Sequence, residues 1–479
     1  MHLSIHSIKQ MSGATLYSSV NEQVLVTSAH FDTRKLTNDS LFVALTIGER
    51  DGHDFIEQAI QQGAKAVLVS KTCSFYDAYP HVAFLQVEDT LKAFQQLAHE
   101  YRKAWGKTVV AITGSNGKTT SKDIVAHLLS SKLSVHKTAG NYNNHIGVPL
   151  TLLEGEREHD VWVIEMGMNH AGEIDVLARI AEPNYAIITN IGESHIEYLG
   201  SREGIAHAKG ELLPHLRSGG TAFIPYDCDF RELLLAKTNE KTVCFGIGSS
   251  ENNPFLDATK MDWDTQEKIL AHSIEVVGNQ TKFEYGYSNF PGMNQFSLPL
   301  YGEHNVLNTL PAIYIADELG FSRKDIFDGL KDMVISPMRF QLMMGNNETT
   351  IINDAYNASP TSMKTSTSTF LTTFSSFKRV IVLGDMFELG QDAEQLHQEV
   401  GIFLNTYQNN IDFLVTIGET SRYLSGSFHG RKRHFSSKEK ASAFLNGFLS
   451  PDFALFFKAS RGMKLESIIN TLVKEKKHV

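Results

Sequence analysis

Residues 107–131, KTVVAITGSNGKTTSKDIVAHLLSS, limit what this chain can become more than any other stretch. An apolar β-branched run, 109–113, meets a turn containing Gly114 and Gly117, and Lys118, Thr119 and Thr120 then open an amphipathic run. That order predicts strand, phosphate loop and helix. Glycine lets backbone N–H groups approach phosphate oxygens, a lysine neutralises the β/γ charge, and a neighbouring hydroxyl can hold Mg²⁺. Ile112 stands where the usual phosphate-loop pattern requires glycine, so TGSNGKTT is a shorter and narrower signal. An ordinary glycine turn would not call for Lys118, Thr119 and Thr120 together.

At 479 residues the chain exceeds one core and predicts roughly three domains. No apolar window approaches the ~18 residues of a membrane span, and the first residues lack a signal-peptide core, so a cytoplasmic protein without stable membrane insertion is expected. Cys73, Cys228 and Cys244 are odd in number and far apart, which fits neither a disulfide framework nor a zinc motif. A net charge of −10 argues against a nucleic-acid surface. The basic cluster at Arg431 and Arg433 is short and reads as a solvated face. Positive charge for an anionic ligand must therefore come from single, locally placed residues.

The first hundred residues read as a small α/β domain, with strands at 41–45, 64–70 and 82–87, a helix at 55–62 and a closing amphipathic helix at 91–105. Polar clusters on its loops include Asp32, Thr33 and Arg34, and Arg50, Asp51, Gly52 and His53. After the phosphate-loop helix, NYNN supplies Asn141, Asn143 and Asn144, whose amides can line a polar pocket. Glu165 then ends a buried strand, where parallel sheets put ligand-binding groups, and a carboxylate there must be paired or bound to a cation. A second strand, 186–191, delivers Glu193, Ser194 and His195 past its end. One carboxylate, one imidazole and Thr119 suit Mg²⁺ held partly by phosphates and water. Lys209 follows on a helix, either as a surface lysine or as an amine carbamylated by CO₂ that helps bind metal. Residues 217–300 read as strand-rich elaboration, and Asn305 and Asn308 share one face of the helix after it, able to contact a base edge or to cap the helix.

From the linker SPMRF onward, strands at 350–356, 380–386, 412–418 and 453–460 alternate with helices at 361–374, 391–404, 437–448 and 464–474. Such alternation predicts a parallel, doubly wound sheet with functional groups past the strand ends. Those ends carry Asp354, Tyr356 and Asn357; Gly384 and Asp385; and Lys458, Ser460 and Arg461.

The phosphate loop resembles that of the Mur ligase superfamily, ATP-dependent amide-forming enzymes of cell-wall precursor synthesis and folate polyglutamylation. The resemblance extends through DTR, FVALTIGERDGHDF, NYNNHIGVPL, EMGMNHAGEI, SHIEYLGSREGIAHAKGE, GEHNVLNTLPA, PMRF, NDAYNASPTSM, VLGDMFELG and KASRGM. It implies three α/β domains: a small N-terminal domain for the UDP-linked substrate (1–105), a central P-loop ATPase-like parallel sheet with extra strands (106–334), and a C-terminal Rossmann-like doubly wound sheet for the incoming dipeptide (335–479). VLGDMFELG and EMGMNHAGEI discriminate best within the family. They point to the activity that joins D-alanyl-D-alanine to UDP-N-acetylmuramoyl-tripeptide through an acyl phosphate, by a monomer needing ATP and Mg²⁺. The DNPR-type motif expected of a diaminoacid-adding relative does not occur.

Position by position, the resemblance implies ATP phosphates on Gly114, Ser115, Asn116, Gly117, Lys118, Thr119 and Thr120, and adenine near Asn305. Arg339 and Asp354 would reach ATP from the last domain. Metal would sit on Thr119, Glu165 and His195 with a carbamylated Lys209, and Lys118, Glu165, His195 and Lys209 would carry the catalysis. Substrate contacts would come from Thr33 and Arg34 to the uridine nucleotide, from Asn141 and Asn144, and from Asn357, Lys458 and Arg461 on the dipeptide side. Thr33, Ser359 and Ala459 depart from the serine, asparagine and glycine of the family pattern. An ATP-driven switch would have no need of Glu165, His195 and Lys209 together.

Overall fold

A computed structural model describes residues 1–71, 78–248, 267–287 and 290–473. Cys73 and the last residue of the expected final helix, Lys474, lie outside them. Three main sheets run along the chain. In the first, Thr15–Leu16, Ala83–Gln86, Ala64–Val69, Ser40–Val43 and Ser28–His30 lie side by side in that order, all parallel except the first pair. Period-two alternation sorts its core. Phe42, Val67, Val69 and Phe84 pack beneath the helix Ile56–Gln61, while Leu41, Val43, Leu68 and Leu85 face the opposite side.

That opposite side meets the helix Thr90–Trp105. Asp89 caps its start by accepting from the Leu91 and Lys92 N–H groups, and Gly106 ends it in the left-handed conformation. Phe94, Leu97, Ala98 and Tyr101 bury one stripe in a core that continues into the central sheet. The Trp105 ring stacks on Trp162 of the central sheet, with centroids 3.7 Å apart and planes 6° from parallel. Arg102, 1% exposed, donates to the carbonyls of Ala181 and Glu182. The first and central sheets thus share one apolar core, and each large side chain in it contributes about 1.5–3 kcal/mol of burial.

The central sheet has nine strands in the order Val135–Lys137, Val161–Glu165, Thr108–Thr113, Tyr185–Ile188, Thr221–Pro225, Lys241–Ile247, Glu267–Val277, Gln280–Tyr287 and Phe290–Leu298. The first seven are mutually parallel and the last two antiparallel. The described strands of the stretch 217–300 therefore extend this sheet. Helices on both faces cover the parallel part, which is why Val109, Val110, Ala111 and Ile112 are all fully buried and do not alternate.

In the last sheet the order is Gln341–Met344, Thr350–Asn353, Phe453–Lys458, Lys378–Gly384, Phe413–Ile417 and Lys432–Phe435, parallel except for the first. The edge strands were not legible in the sequence because they are short and mostly exposed; Lys432 and Arg433 do face solvent. Insertion of the chain's final strand beside Thr350–Asn353 sets the exits of the two strands, Asp354 and Lys458, next to each other. Among the described residues no helix is long and apolar enough to cross a membrane.

Candidate active site

The phosphate loop joins the strand Thr108–Thr113 to the helix Lys118–Ser130. A Cβ on Gly114 (φ +146°) would come within 1.9 Å of Thr189 Oγ1, and one on Gly117 (φ +82°) within 2.7 Å of Asn308 Oδ1, so both positions require glycine. The loop is fastened to the exit of the neighbouring strand. Ser115 N–H donates to the Asn190 carbonyl at 3.0 Å, Asn116 N–H to Asn190 Oδ1 at 2.9 Å, and Gly192 N–H to Ser115 Oγ at 2.9 Å. Lys118 Nζ donates to the Gly114 carbonyl at 2.7 Å. Burial pushes this amine below its ordinary value, against the pull of Glu165.

Glu165 ends the strand Val161–Glu165, in register with Ile112 of the phosphate-loop strand, and is 3% exposed. Oε1 accepts from Asn143 Nδ2 at 2.8 Å. Oε2 is buried without a hydrogen bond, with Lys122 Nζ at 3.9 Å. A buried carboxylate oxygen in that state suits a cation. Among the described residues no three His, Cys, Asp or Glu side chains form a metal cluster. Glu165, Thr119 and His195 line one cavity, and donors of these types suit an ion completed by phosphate and water, as Mg²⁺ is. His195 holds a left-handed backbone (φ +67°), and its Nδ1 lies 2.6 Å from Glu388 Oε2 of the last sheet.

The last sheet closes the other wall. Arg339 lies over the Tyr356 ring, 4.0 Å from its centroid, and donates through Nη2 to Thr119 Oγ1 at 3.1 Å. Lys458 Nζ donates to Asp354 Oδ2 at 2.6 Å and to the Asn357 carbonyl at 3.1 Å. Asn116 Nδ2 donates to Ser359 Oγ at 3.1 Å, and Thr361 Oγ1 donates to Glu193 Oε2 at 2.7 Å. Ser359 also caps the helix Pro360–Thr373 by accepting from the Ser362 N–H.

These walls enclose a cavity of about 610 Å³. Ser115, Asn116, Gly117, Lys118, Thr119, Thr120, Asn141, Asn144, Glu165, His195, Asn305, Arg339, Asp354, Asn357 and Lys458 all line it. Within that wall, Asn144 Oδ1 caps the helix Gly147–Glu154 by accepting from Ile146 and Gly147 N–H, and Asn305 Nδ2 donates to the Tyr301 carbonyl. Gly114, Lys209, Thr33, Arg34 and Arg461 are not among its lining residues. Lys209 is 1% exposed at the end of the helix Arg202–Lys209, and burial, with the field of Lys118, drives its amine well below the ordinary lysine range. Arg34 pairs with Asp32 at 2.7 Å, and Arg461 with Glu466 at 2.7 Å. Thr33 is buried in the short turn Thr33–Lys35, whose last residue contacts Tyr142 Oη.

Three contributions were not assigned from sequence. Asn143, rather than its neighbours, holds Glu165; its place in NYNN was the available signal. Glu388 lies within VLGDMFELG, yet its partner comes from another sheet. His304 also lines the cavity, and burial pushes its imidazole down to about 4.

Comparison with known proteins agrees along the whole chain. Family models match at residues 26–102 (Mur ligase family, catalytic domain), 112–316 (Mur ligase middle domain) and 338–461 (Mur ligase, glutamate ligase domain). The chain is 38% identical over 476 residues to the UDP-N-acetylmuramoyl-tripeptide–D-alanyl-D-alanine ligase of Bacillus subtilis, covering 98% of each chain. A crystal structure of MurF from Acinetobacter baumannii superposes with a TM-score of 0.87 at 28% identity, over 98% of this chain and 99% of that one. MurF from Thermotoga maritima in complex with ADP gives 0.78 at 26% identity, over 93% and 96%.

Proposed function

The chain belongs to the Mur ligase family, and on that footing we propose how its residues carry out the family's chemistry here. It is an ATP-dependent peptide ligase that adds D-alanyl-D-alanine to UDP-N-acetylmuramoyl-tripeptide in peptidoglycan precursor synthesis. The observation that carries the reading is the single cavity into which the phosphate loop, two central strand ends and two C-terminal strand ends all project. The terminal carboxylate of the tripeptide takes the γ-phosphoryl group of ATP, giving an acyl phosphate and ADP. The amine of D-alanyl-D-alanine then displaces phosphate and loses a proton, forming the peptide bond.

The first step brings two anions together, so the protein's part is charge neutralisation and alignment. Lys118 and the N–H groups from Gly114 to Thr120 receive the phosphates. Thr119, Glu165 and His195 would hold Mg²⁺, which when bound would neutralise phosphate charge. Arg339 and Asp354 reach the nucleotide from the C-terminal side, with adenine against Asn305. Asn357, Lys458 and Arg461 serve the dipeptide side, Asn141 and Asn144 face the tripeptide, and Thr33 and Arg34 receive the uridine end on the first sheet. Units 1–105, 106–334 and 335–479 divide these tasks in the cytoplasm.

Lys209 enters through its protonation state. Burial disfavours the charged form of an amine without a counter-ion, and the neutral form adds CO₂ to give a carbamate and a proton. The new anion would face Lys118 and complete the metal's surroundings. In a test of the whole reading, phosphate release is followed with UDP-N-acetylmuramoyl-tripeptide, with and without D-alanyl-D-alanine, and the product is weighed by mass spectrometry. Release that needs both substrates, yields the pentapeptide and vanishes in Lys118→Ala is expected. Release indifferent to the dipeptide, with no heavier product, would overturn the reading.

A further inference from the structure

The turn between the central and last sheets, Ser336 to Phe340, has an unusual backbone. Met338 (φ +60°) and Phe340 (φ +55°), on either side of Arg339, both take left-handed conformations that side chains other than glycine seldom adopt. Such a turn persists only if its surroundings hold it. Two acidic side chains from opposite sides of the junction do so. Asp354, at the exit of Thr350–Asn353, accepts the Phe340 N–H on Oδ1 at 3.1 Å. Asp123, on the phosphate-loop helix, accepts both the N–H and the hydroxyl of Ser336 on Oδ2, at 2.9 and 2.6 Å.

Asp123 is 2% exposed and has no place among the groups given to the reaction. Its two oxygens divide their partners. Oδ1 faces Lys137 at 2.8 Å and Lys122 at 3.6 Å, and Oδ2 is given to Ser336. Burial pushes the carboxyl up, yet Lys122, Lys137 and Ser336 together keep it below its ordinary value, so it stays an acceptor. Thr119 and Asp123 stand four residues apart on one face of the helix. That face meets the turn twice: Asp123 holds Ser336, and Thr119 receives Arg339 three residues later.

We propose that Asp123 is a positioning residue for the ligase reaction: by holding Ser336 it fixes the strained turn that delivers Arg339 to the phosphate loop. The inference rests on the reading that Arg339 serves the nucleotide. Thr119, the second residue of the phosphate-loop helix, and Asp123, one turn further on, then act as one unit that sets both the loop and the reach of the guanidinium. The carboxylate touches no reacting atom.

A double-mutant cycle tests this in the full-length enzyme, with kcat and KM measured separately for ATP and for D-alanyl-D-alanine and with melting temperatures recorded. Arg339→Ala and Asp123→Ala are each expected to lower kcat/KM for ATP by about 10- to 10²-fold, as displacement of an aligned group does. The KM for D-alanyl-D-alanine should move much less. The double variant should be no worse than Arg339→Ala. Effects that multiply, or an Asp123→Ala enzyme with unchanged kcat/KM, would overturn the proposal. An Arg339→Ala enzyme equal to the wild type would remove its premise and mark the site assignment, rather than Asp123, as the failure. Should Asp123→Ala not fold, Ser336→Ala removes one donor alone and must give a smaller loss that is again absent on the Arg339→Ala background; a loss that persists there overturns the proposal equally.

Discussion

His195 Nδ1 lies 2.6 Å from Glu388 Oε2, and both residues hold left-handed backbone conformations, His195 on the central sheet's exit and Glu388 on the last sheet's. The pair therefore joins two sheets through two locally strained points.

The imidazole beside it holds the Glu388 carboxyl below its ordinary value of 4.5. A carboxylate shifted in that direction contributes stability that is complete above 4.5 and is lost as pH falls through the lower, folded value. Glu388→Gln should lower kcat/KM about three- to tenfold, the scale of one lost hydrogen bond of about 0.5–1.5 kcal/mol. Its melting temperature should lie below that of the wild type at neutral pH, and the gap should close on acidification below 4.5. A gap independent of pH would count against the pair.

Asn143 donates to Glu165 Oε1 and leaves Oε2 for the proposed Mg²⁺. Groups one step behind a metal ligand influence affinity or activity by about 10- to 100-fold when removed. Asn143→Ala should therefore raise the Mg²⁺ concentration needed for half-maximal ligation by that order, with ATP saturating. Titrating Mg²⁺ against both enzymes measures it.

Lys209 predicts a trade between stability and activity. Its folded amine is held well below 10.5, so the fold is penalised below that pH, most strongly at and below the folded value. Lys209→Met removes a buried amine that has no counter-ion among the described residues and should relieve about 1–3 kcal/mol. In CO₂-free buffer at neutral pH the variant should melt above the wild type, the two converging as pH approaches 10.5, while ligation is abolished. A variant that melts lower would show that the amine has a stabilising partner.

Lys458 and Asp354 form a buried pair at 2.6 Å, 4% and 8% exposed. Removing the lysine leaves a buried carboxylate without its counter-ion, and such losses amount to about 3–5 kcal/mol. Lys458→Met should lower the denaturant midpoint accordingly and abolish dipeptide transfer; Lys458→Met combined with Asp354→Asn should recover much of the stability and none of the activity. Denaturant titration of both variants, beside the ligation assay, decides it.

Much of the fold could be read from the chain because its signals are local. The expected strand at 109–113 is Thr108–Thr113, and the alternation after residue 350 becomes the parallel last sheet, since buried strands and amphipathic helices carry their own periodicity. Nonlocal partners were not legible. Asn141, Asn143 and Asn144 look alike in sequence, and only the folded path of the loop, with Gly167 N–H donating to the Asn143 carbonyl, sets Asn143 against Glu165. Glu388 belongs to a motif that was plain to see, but its partner is nearly two hundred residues away in sequence and in another sheet. Met338 and Phe340 give no hint of their handedness, because the signal for a left-handed residue is usually glycine or asparagine. The helix Thr90–Trp105 was visible as amphipathic, but not its second wall, Trp162.

The stacked Trp105–Trp162 pair also gives the molecule an uneven optical signature. Of the chain's three tryptophans, the third, Trp263, lies outside the described residues, and none occurs after residue 335. Indole fluorescence from Trp105 and Trp162 therefore reports the shared core of the first two sheets, and no indole reports the last. A thermal scan read by tryptophan and one read by calorimetry need not coincide in this protein, and the interval between them would measure how independently the last sheet melts.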